Sequence, residues 1–259
     1  MAADAAEHLA VGFGAHHWRV GELFVTLDAL GVRHGAESLE AAYAGAAALG
    51  LDFVVASLPT TSGRRTVPFA GGALSATPWL TGTRPTDASL AVPLVARLHA
   101  AVPPPILPNW EPLVPPTLAG AVAELVRRPW DAGPFGEDAR GMLVERLGSF
   151  EGWTARYHAL ADTARSRAWV ATHGEPHERN LLLTDDGPRL VDWESLKLAP
   201  PERDLRVLGV PGDAEMVELF DLEWRLDEVA QYAAWFSAPH GDTEDDRVAL
   251  GGLRHELER

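Results

Sequence analysis

One short stretch of the chain, residues 172–194, concentrates acidic, amide and imidazole side chains around two apolar runs. Two of its carboxylates are Glu175 and Asp192, and Asn180 is an amide between them. An Asp-Gly pair separates the apolar runs, which is a strong local signal for a β-hairpin. Such a hairpin would carry Asn180 on its entry side and Asp192 at its exit. Carboxylate and amide oxygens brought together in this way are the ligands and the base that Mg²⁺-assisted phosphoryl transfer uses.

Two histidines of the same stretch, His173 and His177, stand four positions apart. This spacing suits a zinc site on a helix, but Pro176 between them argues against a helix. We expect His173 to hydrogen bond to backbone within the loop. His177 has two open roles, which are to orient Glu175 or only to pack.

The composition is that of a globular protein with an acidic surface. The chain has 259 residues, 46% of them hydrophobic and 23% charged, enough for one large domain or two lobes. The formal net charge is −15, and residues 201–259 hold 15 acidic and 6 basic side chains. This field repels nucleic acids and anionic membranes and attracts cations, although acidic helices also serve solubility alone. We therefore expect neither nucleic acid nor a membrane as a partner.

The absence of cysteine excludes disulfides, thiolate metal sites and a cysteine nucleophile. The first dozen residues lack the basic start and apolar run of a secretory signal. The longest apolar stretch, residues 41–51, is too short to span a bilayer. A cytoplasmic location is expected.

The elements that must position the polar stretch divide into two groups, which predict an α+β fold. Residues 1–80 read as an antiparallel sheet with one helix at 37–49; strands are expected at 9–11, 16–20, 23–27, 53–56 and 73–80. Residues 81–259 are mainly helical, with helices expected at 87–100, 117–128, 136–149, 151–169, 213–236 and 244–258. Gly12, Phe13 and Gly14 join the first two strands, where the glycines would let backbone N–H groups approach a phosphate. A ligand-free hairpin is the alternative for this turn.

The spacing His173-Gly174-Glu175-x-His177-x-x-Asn180, followed by Asp192-Trp193-Glu194, resembles the aminoglycoside phosphotransferase family of small-molecule kinases. That family usually has aspartate where this chain has Glu175, so the first carboxylate is one methylene longer. The segment Glu202-Arg203-Asp204 also looks like the one that follows the family's metal motif. The resemblance implies a protein-kinase-like fold with two lobes. A small antiparallel nucleotide-binding lobe would span 1–80, and a larger helical lobe with the catalytic loop and substrate site would span 81–259.

The resemblance also implies the roles of the catalytic residues. Glu175 matches the base that accepts or orients the proton of the substrate hydroxyl. Asn180 and Asp192 match the Mg²⁺ ligands, and ATP or GTP would be the phosphate donor. Glu194 would lie beside them as a further metal or substrate contact.

On the nucleotide side, the resemblance points to seven residues: Gly12, Phe13, Gly14, Thr26, Glu40, Thr77 and Trp79. Kinases place a lysine on the third strand, where it binds phosphates and pairs with a helix glutamate. The only lysine here is Lys197, and Thr26 stands about where the strand lysine belongs. Arginines 19, 64 and 65 are the candidate substitutes, although arginine does not replace lysine in shape.

The acidic C-terminal quarter favours a small cationic substrate, such as an aminoglycoside or a basic peptide antibiotic, with Glu194, Glu223 and Asp227 as contacts. Such an enzyme would confer antibiotic resistance, and it would act as a monomer or a homodimer. The missing lysine leaves a second interpretation open, in which the chain is a catalytically weak or inactive kinase-like protein that binds a small molecule.

Overall fold

The computed structural model describes residues 5–9, 15–31 and 33–259. Its β-strands are β1 (Ala6–Leu9), β2 (Ala15–Val20), β3 (Leu23–Ala29), β4 (Val67–Phe69), β5 (Gly72–Pro78), β6 (Val170–Thr172), β7 (Leu181–Thr184), β8 (Gly187–Leu190) and β9 (Lys197–Ala199). Its α-helices are α1 (Ala36–Ala48), α2 (Ala91–Ala100), α3 (Leu118–Leu125), α4 (Gly136–Ala164), α5 (Glu202–Leu205), α6 (Ala214–Ser237) and α7 (Glu244–Glu258). A sheet in the N-terminal part and helices in the C-terminal part confirm the predicted α+β class.

The chain folds into two compact units. The first comprises Met1–Trp110 and Ala168–Gly212, and the second comprises Glu111–Arg167 and Asp213–Arg259. The first unit therefore contains both the sheet and the polar stretch around residues 172–194. The two units are defined by compactness alone, so they do not test the expected division into lobes 1–80 and 81–259. That division stays a prediction.

The main sheet of the first unit is antiparallel, with strand order β1-β2-β3-β5-β4. Its register pairs His17 with Thr26 and Thr26 with Ser75. Paired residues project from the same face of a sheet, and side chains alternate along each strand. One face consequently carries Thr26 and Asp28 of β3.

Helix α1 connects this face to the core of the first unit. Its buried side chains include Leu39, Ala42 and Tyr43, which join a hydrophobic cluster with Phe53 and Trp193. The helix begins at Ala36, where the Ser38 hydroxyl accepts a hydrogen bond from the Gly35 backbone N–H at 3.0 Å. The predicted helix at 37–49 is thus confirmed, and it packs beside the polar stretch.

The strand expected at residues 53–56 does not form. Phe53 is buried as expected, but the segment makes only one isolated parallel bridge, from Val54 to Leu190 of β8. The apolar run therefore reflects burial in the core and not membership of the main sheet. Conversely, β6 and β9 were not predicted, because each is only three residues long.

The second unit is built on α3, α4, α6 and α7. The helices expected at 136–149 and 151–169 are one continuous helix, α4, which was wrongly divided at residue 150. Phe150 is fully buried, so the apolar stripe runs through that position without a break. Helix α7 begins at a capping box formed by Thr243 and Asp246 and matches the predicted bounds.

Among the residues described, no helix has both the length and the apolar character required to cross a membrane.

Gly72→Ala should lower the free energy of unfolding by about 1–3 kcal/mol. Gly72 opens β5 beside β3, and a Cβ atom there would collide with the backbone carbonyl oxygen of Asp28. Gly141→Ala on α4 is the matched control, because a Cβ there meets no atom within 4 Å. The control should be neutral or stabilising by up to about 1 kcal/mol. Urea unfolding measures both, and an equal effect of the two changes would contradict the packing described.

Candidate active site

The predicted hairpin is formed by β7 and β8, with Leu181 opposite Leu190. Immediately beyond this pair, the Val191 backbone N–H donates to the Asn180 carbonyl oxygen at 3.0 Å. This register continues the hairpin to its open end and brings Asn180 beside Asp192. The pairing inferred from the Asp-Gly signal is therefore present.

Asp192 has a strained backbone and an acidic environment. Its φ of 68° lies in the left-handed region, which residues other than glycine rarely adopt and which is often found at functional sites. Asp192 is exposed to solvent, although protein atoms surround its carboxyl group closely. Burial, followed by the charges of Glu194 and Glu175, raises the pKa of Asp192 well above its usual range, and a hydrogen bond with Asn180 opposes this rise. A carboxyl group held among like charges favours a bound cation.

Glu175 is held ionised by its neighbour. Its Oε2 atom lies 3.6 Å from Nε2 of His177. The hydrogen bond with His177 lowers the pKa of Glu175 to about 2 against the opposing effect of burial, and the charges of His177 and Arg33 add to the lowering. This contact favours the first of the two expected roles of His177, which is to orient Glu175. An ionised carboxylate is the form that accepts or orients a hydroxyl proton.

The loop that carries Glu175 is fixed by the carboxylate of Asp204, which is 0% exposed. Oδ1 of Asp204 accepts a hydrogen bond from the Gly174 backbone N–H at 2.6 Å, and Oδ2 accepts one from the His173 N–H at 3.0 Å. Nε2 of His99 on α2 lies 2.9 Å from Oδ2. Burial opposes the charge of Asp204, but the hydrogen bond and charge of His99 lower its pKa overall.

His173 links the loop to the hairpin, as expected for a structural residue. Its Nε2 atom lies 2.9 Å from the Val191 carbonyl oxygen, and its Nδ1 atom accepts from the Glu175 N–H at 3.3 Å. These contacts fit a neutral ring protonated at Nε2, and burial lowers the pKa of His173. The ring also packs edge-on against Trp193, with 4.7 Å between centroids.

Glu194 lies on the side of the site that faces the sheet. Its Oε1 atom is 3.5 Å from Nε2 of His34, in the loop before α1. Burial opposes the charge of Glu194, but the hydrogen bond and charge of His34 lower its pKa overall. Its second partner is Asp28 of β3, with which it shares a side-chain hydrogen bond.

No group of three or more His, Asp or Glu residues in the described part of the chain is arranged to hold a metal ion. Asn180 and Asp192 provide one amide and one carboxylate, which are hard oxygen donors suited to Mg²⁺. Mg²⁺ commonly binds through one or two carboxylates and completes its coordination with water and substrate phosphates. The donor set fits a metal that arrives with a nucleotide.

Three of the predicted nucleotide residues, Thr26, Thr77 and Trp79, lie in the main sheet or directly after one of its strands. The Thr26 hydroxyl is 3.2 Å from Nδ1 of His17, and Thr77 pairs with Phe24 across β3 and β5. Trp79 follows β5 and lies under the Arg19 guanidinium, which is 4.4 Å from the ring centroid. The prediction for Gly12, Phe13 and Gly14 falls outside the described residues.

Glu40 faces a different partner from the one its predicted role requires. Its carboxylate accepts hydrogen bonds from the backbone N–H groups of Arg65 and Thr66 at 2.8 and 2.9 Å and from the Thr66 hydroxyl at 2.6 Å. Arg64 also lies 3.7 Å away. Glu40 thus anchors the loop that precedes β4, and its role in nucleotide binding stays a prediction.

The two predicted substrate contacts of the second unit lie on α6. Glu223 accepts a hydrogen bond from the Tyr157 hydroxyl at 2.5 Å and a longer one from the Leu113 N–H at 3.4 Å. Asp227 accepts one from Gln231 at 2.9 Å on an exposed surface. Their role towards a substrate is not tested by these contacts.

Comparison with known proteins decides the family. The phosphotransferase enzyme family matches residues 10–246, which is most of the chain. The chain belongs to this family. The predicted enzyme class, a phosphotransferase that acts on a hydroxyl group, is therefore confirmed, as is the resemblance read from residues 173–204.

Individual relatives of this phosphotransferase are distant. Protein StrN of Streptomyces griseus is 34% identical over 131 residues, which cover 45% of this chain and 40% of StrN. The chain thus spans less than half of that relative. Among solved structures, the spectinomycin phosphotransferase APH(9)-Ia with ADP and spectinomycin has a TM-score of 0.71 at 12% identity, covering 99% of this chain and 92% of its own. A microcompartment-associated aminopropanol kinase has a TM-score of 0.59 at 13% identity, with coverages of 98% and 90%. At these identities the structures show the protein-kinase-like fold alone.

The phosphotransferase contains one residue at the sheet that sequence reasoning missed. Kinases carry a V-A-I-K sequence on their third strand, and its lysine pairs with a helix glutamate. Strand β3 carries no lysine, and Asp28 stands two residues after Thr26 on the same face of the sheet. Asp28 contacts helix α1, because the Tyr43 hydroxyl donates to its Oδ2 atom at 2.9 Å. An aspartate gave no signal when the sequence was searched for a cation to replace the lysine.

Asp204→Asn should lower the free energy of unfolding by about 3–5 kcal/mol. The amide would turn an N–H group towards donors that now bind a carboxylate. Because the folded-state pKa of Asp204 is depressed, its stabilisation is present above the usual pKa of 3.8 and is lost as pH falls through the folded value. The variant should therefore lose less stability than wild type on acidification. Urea unfolding between pH 3 and 7 measures both effects.

Asp52→Asn is the matched control in the same unit. Asp52 forms an exposed ion pair with Arg97 at 2.8 Å, and such pairs contribute about 0–1 kcal/mol. Similar losses for Asp204→Asn and Asp52→Asn would contradict the anchoring role of Asp204.

Proposed function

We propose that the protein transfers the γ-phosphate of ATP or GTP to a hydroxyl group of a small cationic molecule in the cytoplasm. The observation that carries this proposal is the meeting of Glu175, Asn180 and Asp192 on two loops that hydrogen bonds hold together. A base and two oxygen ligands at this spacing are what phosphoryl transfer to an alcohol requires.

Asn180 and Asp192 would hold Mg²⁺. The bound ion would neutralise phosphate oxygens and favour an in-line arrangement of donor and acceptor. The side-chain amide of Asn180 also donates to the Glu175 carbonyl oxygen at 3.0 Å. Asn180 thus connects the proposed metal ligands to the loop that carries the proposed base. The acidic surroundings of Asp192 support cation binding, since a divalent ion would relieve the repulsion from Glu194 and Glu175.

Glu175 would accept or orient the hydroxyl proton of the substrate. Its pKa of about 2 keeps it ionised at physiological pH. In a loose phosphoryl-transfer transition state, orientation of the nucleophile contributes more than proton removal, so a weak base suffices. The extra methylene of glutamate, relative to the usual aspartate, changes the reach of this group.

The nucleotide would lie against the face of the main sheet that carries Thr26, with Thr77 and Trp79 near the base. Gly12, Phe13 and Gly14 are proposed to cover the phosphates, and Glu40 to support this side through the loop that it anchors.

The proposed substrate is an amine-bearing alcohol. The names of two structural neighbours, a spectinomycin phosphotransferase and an aminopropanol kinase, denote enzymes that act on such molecules. The formal net charge of −15 and the carboxylates Glu194, Glu223 and Asp227 favour a cation over an anion. An aminoglycoside or a basic peptide antibiotic is the preferred class, with antibiotic resistance as the outcome for the cell. We propose a monomer or homodimer without nucleic acid or membrane partners.

The absence of a lysine from β3 favours a second candidate, which is a catalytically weak member of the family that binds its small molecule without efficient transfer. The two candidates differ in nucleotide consumption. Only the first requires both an intact Glu175 and an intact Asp192.

Glu175→Gln should lower kcat for transfer to an amino alcohol or aminoglycoside acceptor at least ~100-fold. Asp192→Asn should reduce transfer to background, because a principal metal ligand is lost. Asp185→Asn, at the exposed turn of the same hairpin, is the control and should keep wild-type activity. Phosphorus NMR of the acceptor, together with ADP release, measures transfer directly.

Two results would contradict the first candidate. One is the absence of acceptor-dependent ADP release by wild type across a panel of aminoglycosides, basic peptides and amino alcohols. The other is unchanged transfer by both site variants.

A further inference from the structure

Gly174 directly precedes Glu175 and therefore sets the direction in which the chain enters the proposed base. Its φ of 100° lies in the left-handed region, which favours glycine. The carboxylate of Asp204 binds the Gly174 N–H and so fixes the backbone on the amino side of this residue. Rotation about the Cα–C bond, which directs Glu175, is not fixed by that hydrogen bond. Because glycine has the greatest backbone freedom of any residue, this bond needs a second constraint.

The guanidinium group of Arg203 supplies such a constraint. A Cβ atom on Gly174 would lie 2.6 Å from Cζ of Arg203, so the flat guanidinium occupies the place that a side chain would take. Gly174 is buried, and this close approach leaves the peptide group that follows it little room to turn. Glycine is thus required at this position for two reasons, its φ value and the approach of Arg203.

Arg203 is itself held by Thr172, which ends β6 and is 0% exposed. Nη1 of Arg203 donates to the Thr172 hydroxyl oxygen at 3.0 Å and, at 3.4 Å, to the Thr172 carbonyl oxygen. The Thr172 hydroxyl gives its single proton to the Lys197 carbonyl oxygen at 3.0 Å, so it acts as an acceptor towards Arg203. These bonds fix the guanidinium against the β6–β9 pair, from which the loop that carries Glu175 starts.

Arg203 and Asp204 are consecutive residues of α5 that hold different groups of this loop. The carboxylate accepts hydrogen bonds from two backbone N–H groups, whereas the guanidinium donates to Thr172 and covers Gly174. The backbone N–H of Glu175 itself makes only a long hydrogen bond of 3.3 Å, to the imidazole of the same loop. The direction of Glu175 consequently depends on the contact between Arg203 and Gly174.

We propose that Arg203 is a positioning residue, which holds Gly174 so that the side chain of Glu175 points towards the acceptor hydroxyl. This inference rests on the proposed function, because Glu175 acts as a base only if phosphoryl transfer takes place. Asp204 anchors the loop, and Arg203 sets the angle at which the loop presents the base. Arg203 therefore acts through Glu175 and not on the reacting atoms.

A double-mutant cycle on the full chain tests this role. Arg203→Met should lower kcat for acceptor phosphorylation ~10–100-fold and leave the KM values of nucleotide and acceptor within about 2-fold, because binding does not depend on the direction of Glu175. Glu175→Gln removes the group through which Arg203 acts. The double variant should therefore have the kcat of Glu175→Gln alone, within about 2-fold.

Arg203→Lys separates the shape of the guanidinium from its charge. Lysine keeps the positive charge and a donor for Thr172, but it has no flat group to place against Gly174. Its kcat should stay at least ~5-fold below that of wild type. This variant replaces Arg203→Met in the cycle if Arg203→Met does not fold. Arg97→Met, which removes an exposed arginine paired with Asp52, is the control and should keep the wild-type kcat.

Hydrogen exchange measured by NMR reports on the same backbone without any substrate. Arg203→Met should raise the exchange rate of the Glu175 N–H at least ~10-fold. The Gly174 N–H, which Asp204 binds, should stay as protected as in wild type. A purely structural role of Arg203 would raise both rates together, because the loop would open as a whole.

The outcomes separate this inference from the proposed function. Three results would overturn the positioning role and leave phosphoryl transfer intact: additive losses of kcat in the double variant, a wild-type kcat in Arg203→Lys, or exchange rates that change equally, or not at all, at Glu175 and Gly174. Absence of acceptor-dependent ADP release by wild type would instead overturn the proposed function. The exchange rates would then still decide whether Arg203 fixes the backbone of Glu175.

Discussion

The catalytic loop depends on one buried interaction, the capture of two consecutive backbone N–H groups by Asp204. Gly174 and His173 donate to its two oxygens, and His99 balances its charge from α2. A carboxylate can remain charged in a buried place only with such donors. Because Glu175 directly follows Gly174, fixing these two peptide groups also fixes the backbone from which the side chain of Glu175, the proposed base, projects. The side chain of His173 in turn hydrogen bonds to the Val191 carbonyl oxygen, which connects this loop to the hairpin.

The site that this loop supports is dominated by negative charge. Glu175, Asp28 and the pair Asp192 and Glu194 come from three segments of the first unit. The pKa values of Asp192 and Asp28 are raised, while those of Glu175 and Glu194 are lowered by histidine partners. Such divergence among neighbouring carboxyl groups is typical of functional sites. Under the proposed function, phosphate binding would draw its positive charge largely from ions that enter with the nucleotide.

Much of the site was predictable because its information is local. The hairpin signal set the register that joins Asn180 to Asp192, and the family spacing identified Glu175 at a fixed distance from Asn180.

The parts that were missed depend on tertiary contacts. Glu40 turned to the backbone of residues 65–66, a partner 25 positions away, and Asp28 met Tyr43 on α1. Residues 53–56 were assigned to a strand because core burial and strand burial give the same apolar run. The division of α4 at residue 150 was wrong because the buried Phe150 continues its apolar stripe.

The most direct measurement is calorimetric titration of wild-type protein with a non-hydrolysable ATP analogue, in excess Mg²⁺ and in a chelator. A site that lacks the strand lysine and concentrates carboxylates should bind the nucleotide only when Mg²⁺ is present. Equal affinity in the chelator, or no binding under either condition, would contradict the account.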